Sequence, residues 1–149
     1  MEQLRQPITI LLVEDDDGHA RLIERNLRKV NLANPIERVR DGWEAIEYLH
    51  NQGAFADRDR YARPRLVLLD INMPRMDGIE VLERIKGDAH LHSMPVIMLT
   101  STDNQMEIDR CYSAGASGYV AKPVNIVSLG EKLQRLGMFL EIVEFPQVA

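Results

Sequence analysis

Five short aliphatic runs are spaced along the chain, and each is followed by a segment with the hydrophobic spacing of an amphipathic helix. Strands that alternate with helices in this way predict a parallel sheet with right-handed crossovers. The runs are continuously apolar, which indicates strands covered by helices on both faces. The sequence therefore predicts a doubly wound α/β sandwich. The predicted strands are residues 8–13, 36–39, 66–70, 95–100 and 118–121, and the predicted helices are residues 18–30, a segment around 43–49, 78–88, 104–114 and 126–140.

The first two helical segments also predict which side chains face the sheet. An amphipathic helix buries the apolar residues that recur every three or four positions and exposes the residues between them. The expected buried positions in the first helix are Leu22, Ile23, Leu27 and Val30, and Trp43, Ile46, Tyr48 and Leu49 mark the second helix.

The composition is typical of a single soluble domain. The chain has 149 residues, of which 45% are hydrophobic and 28% charged, enough to bury a substantial core. The formal net charge of −5 disfavours nucleic-acid binding, which rewards basic surfaces. Cys111 is the single cysteine and cannot form an internal disulfide, as expected in a reducing compartment. With no signal-peptide pattern and no membrane-length apolar run, we expect a cytoplasmic protein without membrane or nucleic-acid partners.

Polar side chains follow four of the predicted strands at the point where each strand ends. Acidic residues 14–17 follow the first strand, Asp70 ends the third, Thr100 ends the fourth and Lys122 follows the fifth. In doubly wound sheets, ligands bind beyond the carboxyl ends of the strands. We therefore expect these side chains, which are far apart in the sequence, to meet at one edge of the sheet.

The acidic residues of this set indicate a metal site. Carboxylates held close together repel one another and raise each other's pKa unless a cation lies among them. Mg²⁺ suits such a site because it uses one or two carboxylates, keeps several waters and accepts phosphate oxygens. A simpler interpretation of residues 14–17 is an exposed group of acids that caps the following helix, and Asp16 and Asp17 fit this interpretation.

Lys122 and Thr100 would add an ammonium group and a hydroxyl that can bind a phosphoryl group. With a carboxylate and a divalent cation they describe a phosphoryl-transfer site, in which Asp70 is the candidate nucleophile. The simpler interpretations are a solvated surface lysine and a β-branched residue that finishes a strand. The bond between Lys122 and Pro123 is a candidate for a cis peptide that aims the lysine.

The segments at these strand ends resemble the receiver domain of two-component response regulators. The matching segments are "ILLVEDD", "LVLLDINMPRMDG", "VIMLTS" and "GASGYVAKPV", in the order and spacing of that family. The resemblance implies a flavodoxin-like sheet with strand order 2-1-3-4-5. It covers residues 8–140 and leaves residues 1–7 as an N-terminal extension and residues 141–149 as a C-terminal tail.

The resemblance also implies roles for the matching residues. Asp70 would accept a phosphoryl group from a phosphohistidine of a sensor kinase, and Thr100 and Lys122 would bind that group. Thr100 and Tyr119 match the family's switch residues, which alter the surface formed by the fourth helix, the fifth strand and the fifth helix. The alternative for Tyr119 is a half-buried strand aromatic. Such a protein is not an enzyme in the usual sense, since it catalyses only its own phosphorylation and dephosphorylation.

A set of Mg²⁺ ligands follows from the same resemblance. Asp15 and Asp70 would bind the ion directly, and Glu14 would bind it through water. Asn72 would contribute its backbone carbonyl. Neither Asn72 nor Thr102 is an acid, although their positions are those where the family tunes loss of the phosphoryl group, so the sequence does not predict the lifetime of the phosphorylated state.

Two further features resemble the response regulators of phytochrome kinases, of the kind without an attached output domain. One is the loop "NQGAFADRDRYARPR" before the third strand, and the other is the tail "MFLEIVEFPQ" after the last helix. In that subgroup the comparable C-terminal region helps to form a homodimer, so we expect a homodimer that involves the last helix and the tail. The alternative is an apolar tail that packs on its own domain.

Other classes of protein fit the residues less well. A Mg²⁺-dependent aspartyl-phosphate phosphatase would need a second acid two residues after the nucleophile, where Asn72 stands. A flavodoxin-like or dinucleotide-binding protein would need a loop rich in glycine or hydroxyl residues after the first strand, where this chain has "EDDDGH". A DNA-binding protein would need a basic recognition helix. A degenerate receiver that serves only as an interaction scaffold remains an alternative.

Overall fold

The computed structural model describes residues 9–28, 35–101, 104–124 and 126–135, and within them the chain forms a five-stranded sheet. The strands lie in the order β2-β1-β3-β4-β5, and each neighbouring pair is parallel. The predicted flavodoxin-like doubly wound fold and its strand order are confirmed. In chain order the elements are β1 Ile10–Val13, α1 Asp17–Arg28, β2 Ile36–Val39, α2 Gly42–Leu49, β3 Leu66–Asp70, α3 Gly78–Lys86, β4 Val96–Thr100, α4 Gln105–Ser113, β5 Gly118–Ala121 and α5 Ile126–Arg135.

The observed boundaries differ from the predicted ones at a few helix and strand ends. Helix α3 ends at Lys86 and not at residue 88, because Gly87 closes it as the C-cap. Helix α4 begins after Asn104, which caps it and is not part of it. A 3₁₀ helix at Gly53–Phe55, inside the long loop before β3, was not predicted. The predicted strand start at residue 8 and the predicted helix ends at residues 29–30 and 136–140 lie outside the described residues.

Helices cover both faces of the sheet, as the continuous apolar strands predict. Strands β1, β3 and β4 are buried at every residue, so their carboxyl ends are held by packing on two sides. One face packs against α1 and α5 and contains Ile10, Leu12, Leu66, Leu68, Ile97 and Leu99 with Ala20, Ile23, Leu27 and Leu129. The other face packs against α2, α3 and α4 and contains Leu11, Val13, Val67, Leu69, Val96 and Met98 with Ala45, Val81, Leu82 and Cys111.

Two apolar side chains of α1 and α2 lie at the surface, and one of them, Leu22, was expected in the core. Leu22 is 43% exposed and Trp43 is 50% exposed. Each lies at the rim of its helix's apolar stripe, where hydrophobic spacing does not decide between the core and the solvent. The Trp43 ring packs instead beneath the Arg84 guanidinium, 4.9 Å from the ring centroid.

Polar caps begin the three helices on one face. Asp41 accepts from the Glu44 N–H at the start of α2, and Asp77 caps α3 in the same way. These caps determine where each helix starts and therefore how the preceding loop leaves its strand. Among the described residues, none of the helices has the length and apolar character needed to cross a lipid bilayer.

Candidate functional site

The carboxyl end of the sheet brings together polar side chains from four strands. Glu14 directly follows β1, Asp70 ends β3, Thr100 ends β4 and Lys122 directly follows β5. The register pairs Asp70 with Leu99 and Thr100 with Ala121, which brings the last three strands to a common edge. Glu14, Asp70 and Thr100 are all buried, although the layer around them is aliphatic. The side chains predicted to meet at this edge are therefore close together.

Three carboxylates form a compact group at this edge. One oxygen from each of Glu14, Asp15 and Asp70 lies within 4.8 Å of the other two. Glu14 and Asp70 are buried, whereas Asp15 is partly exposed and faces the opening of the site. Carboxylate oxygens at this spacing are the ligands that a hard divalent cation prefers. The donor set therefore fits Mg²⁺ or a similar ion.

Lys122 lies between two of these acids. Its ammonium nitrogen is 2.5 Å from Glu14 Oε1 and 3.2 Å from Asp70 Oδ1. The same nitrogen is 3.3 Å from Nδ1 of His19 on α1. Only 12% of the Lys122 side chain is exposed, so the ammonium is held inside the site and is not a solvated surface charge. The interpretation of Lys122 as a surface lysine is therefore wrong.

The buried groups have opposed pKa shifts. Burial raises the pKa of Asp70 to about 7, and the adjacent Glu14 carboxylate acts in the same direction. Burial alone would also raise the pKa of Glu14, but hydrogen bonds with Lys122 and Asp70 outweigh it and lower that pKa. Burial opposes the charge on Lys122, yet its contacts with both acids leave the pKa of the lysine raised. Of the two acids, Asp70 therefore keeps its proton to the higher pH.

The chain turns sharply after Asp70, and Gly78 makes this turn compact. A Cβ at Gly78 would lie 2.2 Å from the Asp70 carbonyl oxygen, so only glycine fits there. The Gly78 N–H donates to the Ile71 carbonyl at 2.8 Å, and the Asn72 N–H approaches Asp70 Oδ1 at 3.4 Å. The first of these bonds closes the loop of residues 71–77 at its two ends. The use of the Asn72 carbonyl as a metal ligand stays a prediction.

Arg38 on β2 holds the loop that follows β1, and the sequence analysis missed it. Its Nε and Nη2 atoms donate to the Glu14 carbonyl oxygen at 3.0 and 2.8 Å. Its Nη1 atom donates to Asp17 Oδ1 at 2.6 Å. One guanidinium group thus fixes both ends of the acidic loop. The sequence shows only an arginine in a predicted strand. That this arginine reaches Glu14 follows from the pairing of β1 with β2.

Asp16 and Asp17 have the simpler role, that of exposed acids at the start of a helix. Asp16 Oδ1 accepts from the His19 N–H at 2.9 Å, which is the geometry of a helix N-cap. Asp17 pairs with Arg38 and Arg40 at 2.6 and 3.2 Å. Both residues are exposed. These two acids organise the start of α1 and lie outside the group of three carboxylates.

The remaining predicted residues lie near the same edge. Thr100 is fully buried, and its carbonyl oxygen accepts from the Lys122 N–H at 2.8 Å. The peptide bond between Lys122 and Pro123 is cis. Tyr119 on β5 is half-buried, and the Lys132 ammonium lies 5.0 Å from its ring centroid. The switch roles of Thr100 and Tyr119 stay predictions.

This arrangement has the parts that phosphoryl transfer to a carboxylate requires. Asp70 presents a buried carboxylate oxygen, and Lys122 places a positive charge beside it. The three carboxylates can hold a cation that would offset the charge of an incoming phosphoryl group. A buried carboxylate beside an ammonium and a cation site is consistent with a phosphate acceptor.

Sequence comparison identifies relatives along most of the chain. Residues 10–134 match the response regulator receiver domain. Response regulator Rcp1 of Synechocystis sp. is 34% identical over 146 residues, which cover 97% of this chain and 97% of that protein. The probable methanogenesis regulatory protein FilR2 of Methanothrix harundinacea is 35% identical over 136 residues, which cover 90% of this chain and 84% of that protein.

Solved structures with the same fold include several response regulators of phytochromes. The bacteriophytochrome response regulator AtBRR is 37% identical with a TM-score of 0.82, covering 97% of this chain and 99% of that one. The phosphorylated cyanobacterial phytochrome response regulator RcpA is 34% identical with a TM-score of 0.75, covering 95% and 100%. The Mn²⁺-bound form of Rcp1 is 33% identical with a TM-score of 0.71, covering 94% and 99%.

Proposed function

The chain belongs to the response regulator receiver family, and on that premise we propose that Asp70 accepts a phosphoryl group from a phosphohistidine of a sensor histidine kinase. The observation that carries this proposal is the position of Lys122, whose ammonium lies 3.2 Å from Asp70 Oδ1 inside the group of acids. A lysine in that position neutralises a phosphoryl group attached to Asp70. The solved structure of RcpA, a relative, is of a phosphorylated protein.

In the proposed step an oxygen of the ionised Asp70 attacks the phosphorus atom. An O–P bond forms as the P–N bond to the partner's imidazole breaks, and the electron pair of that bond stays on the imidazole nitrogen. The attacking oxygen must be deprotonated, and the pKa of Asp70 near 7 means that much of the acid is protonated in neutral solution without a cation. Lys122 favours the ionised form of Asp70 by its charge.

Mg²⁺ is the cofactor that the site fits, with Asp15 and Asp70 as direct ligands, Glu14 as a ligand through water and the Asn72 carbonyl completing the set. The compact group of three carboxylates supports this assignment. When bound, the cation supplies positive charge next to the transferred group and favours the ionised form of Asp70. Rcp1 has been solved in a Mn²⁺-bound form, so a relative binds a divalent cation.

We assign the response to phosphorylation to Thr100 and Tyr119. Thr100 ends β4 next to the site, and Tyr119 lies on the neighbouring strand beneath Lys132. A hydroxyl that moves toward the phosphoryl group leaves space into which the tyrosine ring can turn. The surface formed by α4, β5 and α5 then changes and reports the phosphorylated state.

A protein is the proposed phosphoryl donor, and a kinase of the phytochrome type is the candidate. A groove of about 280 Å³ opens beside Lys122 between α1 and Pro123, and Leu22 and Ile23 contribute apolar side chains to it. Such a groove suits apolar side chains that surround a phosphohistidine on a helix of the partner. Relatives solved as structures are response regulators of phytochromes.

The remaining parts of the proposal concern the ends of the chain and its surroundings. We propose a receiver domain over residues 8–140, with an N-terminal extension at residues 1–7 and a C-terminal tail at residues 141–149. We also propose a homodimer that involves the last helix and the tail, in a protein of the cytoplasm without nucleic-acid or membrane partners. Residues 136–149 lie outside the described residues, so the dimer rests on the sequence.

The test is intact mass after incubation with acetyl phosphate, with and without Mg²⁺. We expect the wild type to gain the mass of a phosphoryl group only with Mg²⁺, and Asp70→Asn to gain none. Asp16→Asn is the matched control, because asparagine keeps the helix cap of an acid outside the metal group. If the wild type gains no mass from acetyl phosphate or from a phosphorylated kinase, the alternative function remains, a degenerate receiver that serves only as an interaction scaffold.

A further inference from the structure

The Lys122 ammonium has three acceptor atoms around it, and one of them does not belong to an acid. A lysine carries three N–H donors. Two acceptors are Glu14 Oε1 and Asp70 Oδ1, at 2.5 and 3.2 Å. The third is His19 Nδ1, at 3.3 Å. His19 is thus a contact of Lys122 that lies outside the group of three carboxylates.

The local fold places His19 beside the site. His19 is in the first turn of α1, and its N–H donates to the capping Asp16 side chain at 2.9 Å. This cap holds the first turn against the acidic loop, so Nδ1 also lies 3.8 Å from Glu14 Oε1. The imidazole is 54% exposed and contacts Lys122 from the solvent side. The ring therefore lies next to both the ammonium and the buried Glu14 carboxylate.

We infer that His19 is a positioning residue that holds the Lys122 ammonium over Asp70 by accepting a hydrogen bond at Nδ1. The inference rests on the proposed function and deepens it. Glu14 and Asp70 belong to the group that fits a cation, and a cation competes with Lys122 for their oxygens. The acceptor on His19 is not subject to that competition. When a cation occupies the oxygens of Glu14 and Asp70, His19 keeps the lysine in place.

The chemistry of the contact determines the form of the imidazole. Lys122 can only donate, so Nδ1 accepts and the ring proton lies on Nε2. A lysine side chain is flexible and loses its preferred position when a partner is removed. Without His19, the ammonium would spend less time where it meets an arriving phosphoryl group. We expect the phosphorylation rate to fall, while the affinity for the cation stays the same.

The test compares two variants with nearly the same shape. His19→Asn keeps an acceptor oxygen close to the position of Nδ1, whereas His19→Leu fills the same space without an acceptor. With acetyl phosphate and saturating Mg²⁺, we expect His19→Leu to slow phosphorylation about three- to tenfold, and His19→Asn to stay within about twofold of the wild type. Arg25→Ala, an exposed change on the same helix, is the control and should match the wild type.

Two measurements separate positioning from a structural effect. The Mg²⁺ dissociation constant, measured by calorimetry, should be the same in the wild type and both His19 variants, and the thermal midpoints should agree. If His19→Leu and His19→Asn have the same phosphorylation rate, the inference is overturned. It is also overturned if His19→Leu weakens Mg²⁺ binding to the extent that it slows the reaction.

The contact itself can be tested without phosphorylation. The ¹⁵N shifts of the His19 ring, recorded with saturating Mg²⁺, should report a larger share of the tautomer with the proton on Nε2 in the wild type than in Lys122→Met. A wild type that is not phosphorylated would refute the proposed function, and the ring shifts would still decide the His19 contact. Equal tautomer populations in the wild type and in Lys122→Met would refute the contact.

Discussion

At the amino end of the sheet charged and aromatic groups are paired with one another, whereas at the carboxyl end like charges are buried together. Tyr48 at the end of α2 meets Phe55 and Tyr61 of the loop before β3 in tilted and edge-to-face contacts, with ring centroids 5.1–5.8 Å apart. Arg60 covers Tyr61 and pairs with Glu37 at 2.7 Å. At the other edge, burial and the Glu14 carboxylate raise the pKa of Asp70 to about 7.

This difference indicates that the amino end of the sheet stabilises the fold, whereas the carboxyl end has the features of a binding site. The amino end buries apolar rings and satisfies its polar groups; the Tyr48 hydroxyl, for example, donates to the Ala62 carbonyl at 3.1 Å. The carboxyl end keeps two acids buried with one lysine between them. Buried like charges cost stability unless a ligand offsets them. We therefore expect substitutions at the two edges to have opposite effects on the free energy of unfolding.

The largest effect is expected at the amino end, from Tyr48→Ala. Tyr48 is 2% exposed and contacts both other rings, so truncation leaves a cavity and should lower the free energy of unfolding by about 4 kcal/mol. Urea denaturation followed by circular dichroism measures it. Tyr48→Phe keeps the ring, removes one hydrogen bond and should cost about 1 kcal/mol. Equal losses in the two variants would show that the ring contacts of Tyr48 do not stabilise the loop.

A divalent cation should offset the loss of stability that the buried acids cause at the carboxyl end of the sheet. Mg²⁺ at about 100 times its dissociation constant should raise the free energy of unfolding by about 3 kcal/mol, because it binds the folded acids and not the unfolded chain. Asp15→Asn removes a carboxylate of the site and should abolish most of the gain, while the capping variant Asp16→Asn should keep it. Denaturation with and without Mg²⁺ measures the gain. Stabilisation that is equal in both variants would point to a nonspecific salt effect.

Removal of the buried Asp70 charge should stabilise the protein in the absence of a cation. The folded state binds the Asp70 proton more tightly than the unfolded state, because the pKa rises from its ordinary value of 3.8 to about 7. The contribution of Asp70 to stability therefore falls as the pH rises through that window and stays low above it. At about pH 8, Asp70→Asn should raise the free energy of unfolding by about 2 kcal/mol.

The pH dependence is the control for the Asp70 prediction. At about pH 4 the Asp70 side chain of the folded wild type is protonated and is therefore uncharged, like the asparagine that replaces it. The gain in the free energy of unfolding from Asp70→Asn should then disappear. Saturating Mg²⁺ at about pH 8 should remove it as well, because the cation stabilises the wild type through the Asp70 carboxylate. Denaturation curves across this range measure the difference. An advantage that is constant with pH would mean that charge burial is not its cause.

The smallest effect is expected for Arg38→Gln, which tests whether the carboxyl end has any purely structural contact. Arg38 donates two hydrogen bonds to the Glu14 carbonyl, so its loss should lower the free energy of unfolding by about 1 kcal/mol. It should also weaken Mg²⁺ binding, since the acidic loop loses its anchor; calorimetry measures that change. Arg60→Gln removes an exposed ion pair at the amino end and should leave Mg²⁺ binding unchanged. If both variants bind Mg²⁺ as the wild type does, Arg38 does not organise the site.

Several parts of the fold could be predicted because they depend on neighbours in the sequence. Continuous aliphatic runs are a local property, and the strands at residues 36–39, 66–70 and 118–121 have the predicted bounds. The exposure of Leu22 was not predicted, because helical spacing alone does not define the rim of a buried stripe. The 3₁₀ helix at Gly53–Phe55 has no such pattern and was not predicted.

The residues of the site also fall into two groups, those that the sequence predicts and those that only the tertiary structure places. Acids, a hydroxyl and a lysine at the ends of apolar runs are visible in the sequence, because parallel strands bring their carboxyl ends to one edge whatever the details of packing. The contacts of His19 with Lys122, across 103 residues, and of Arg38 with Glu14 depend on the register of the strands and on the start of α1. Which acids are buried is also a tertiary property, because it is the packing of α1 and the turn at Gly78 that exclude water from Glu14 and Asp70.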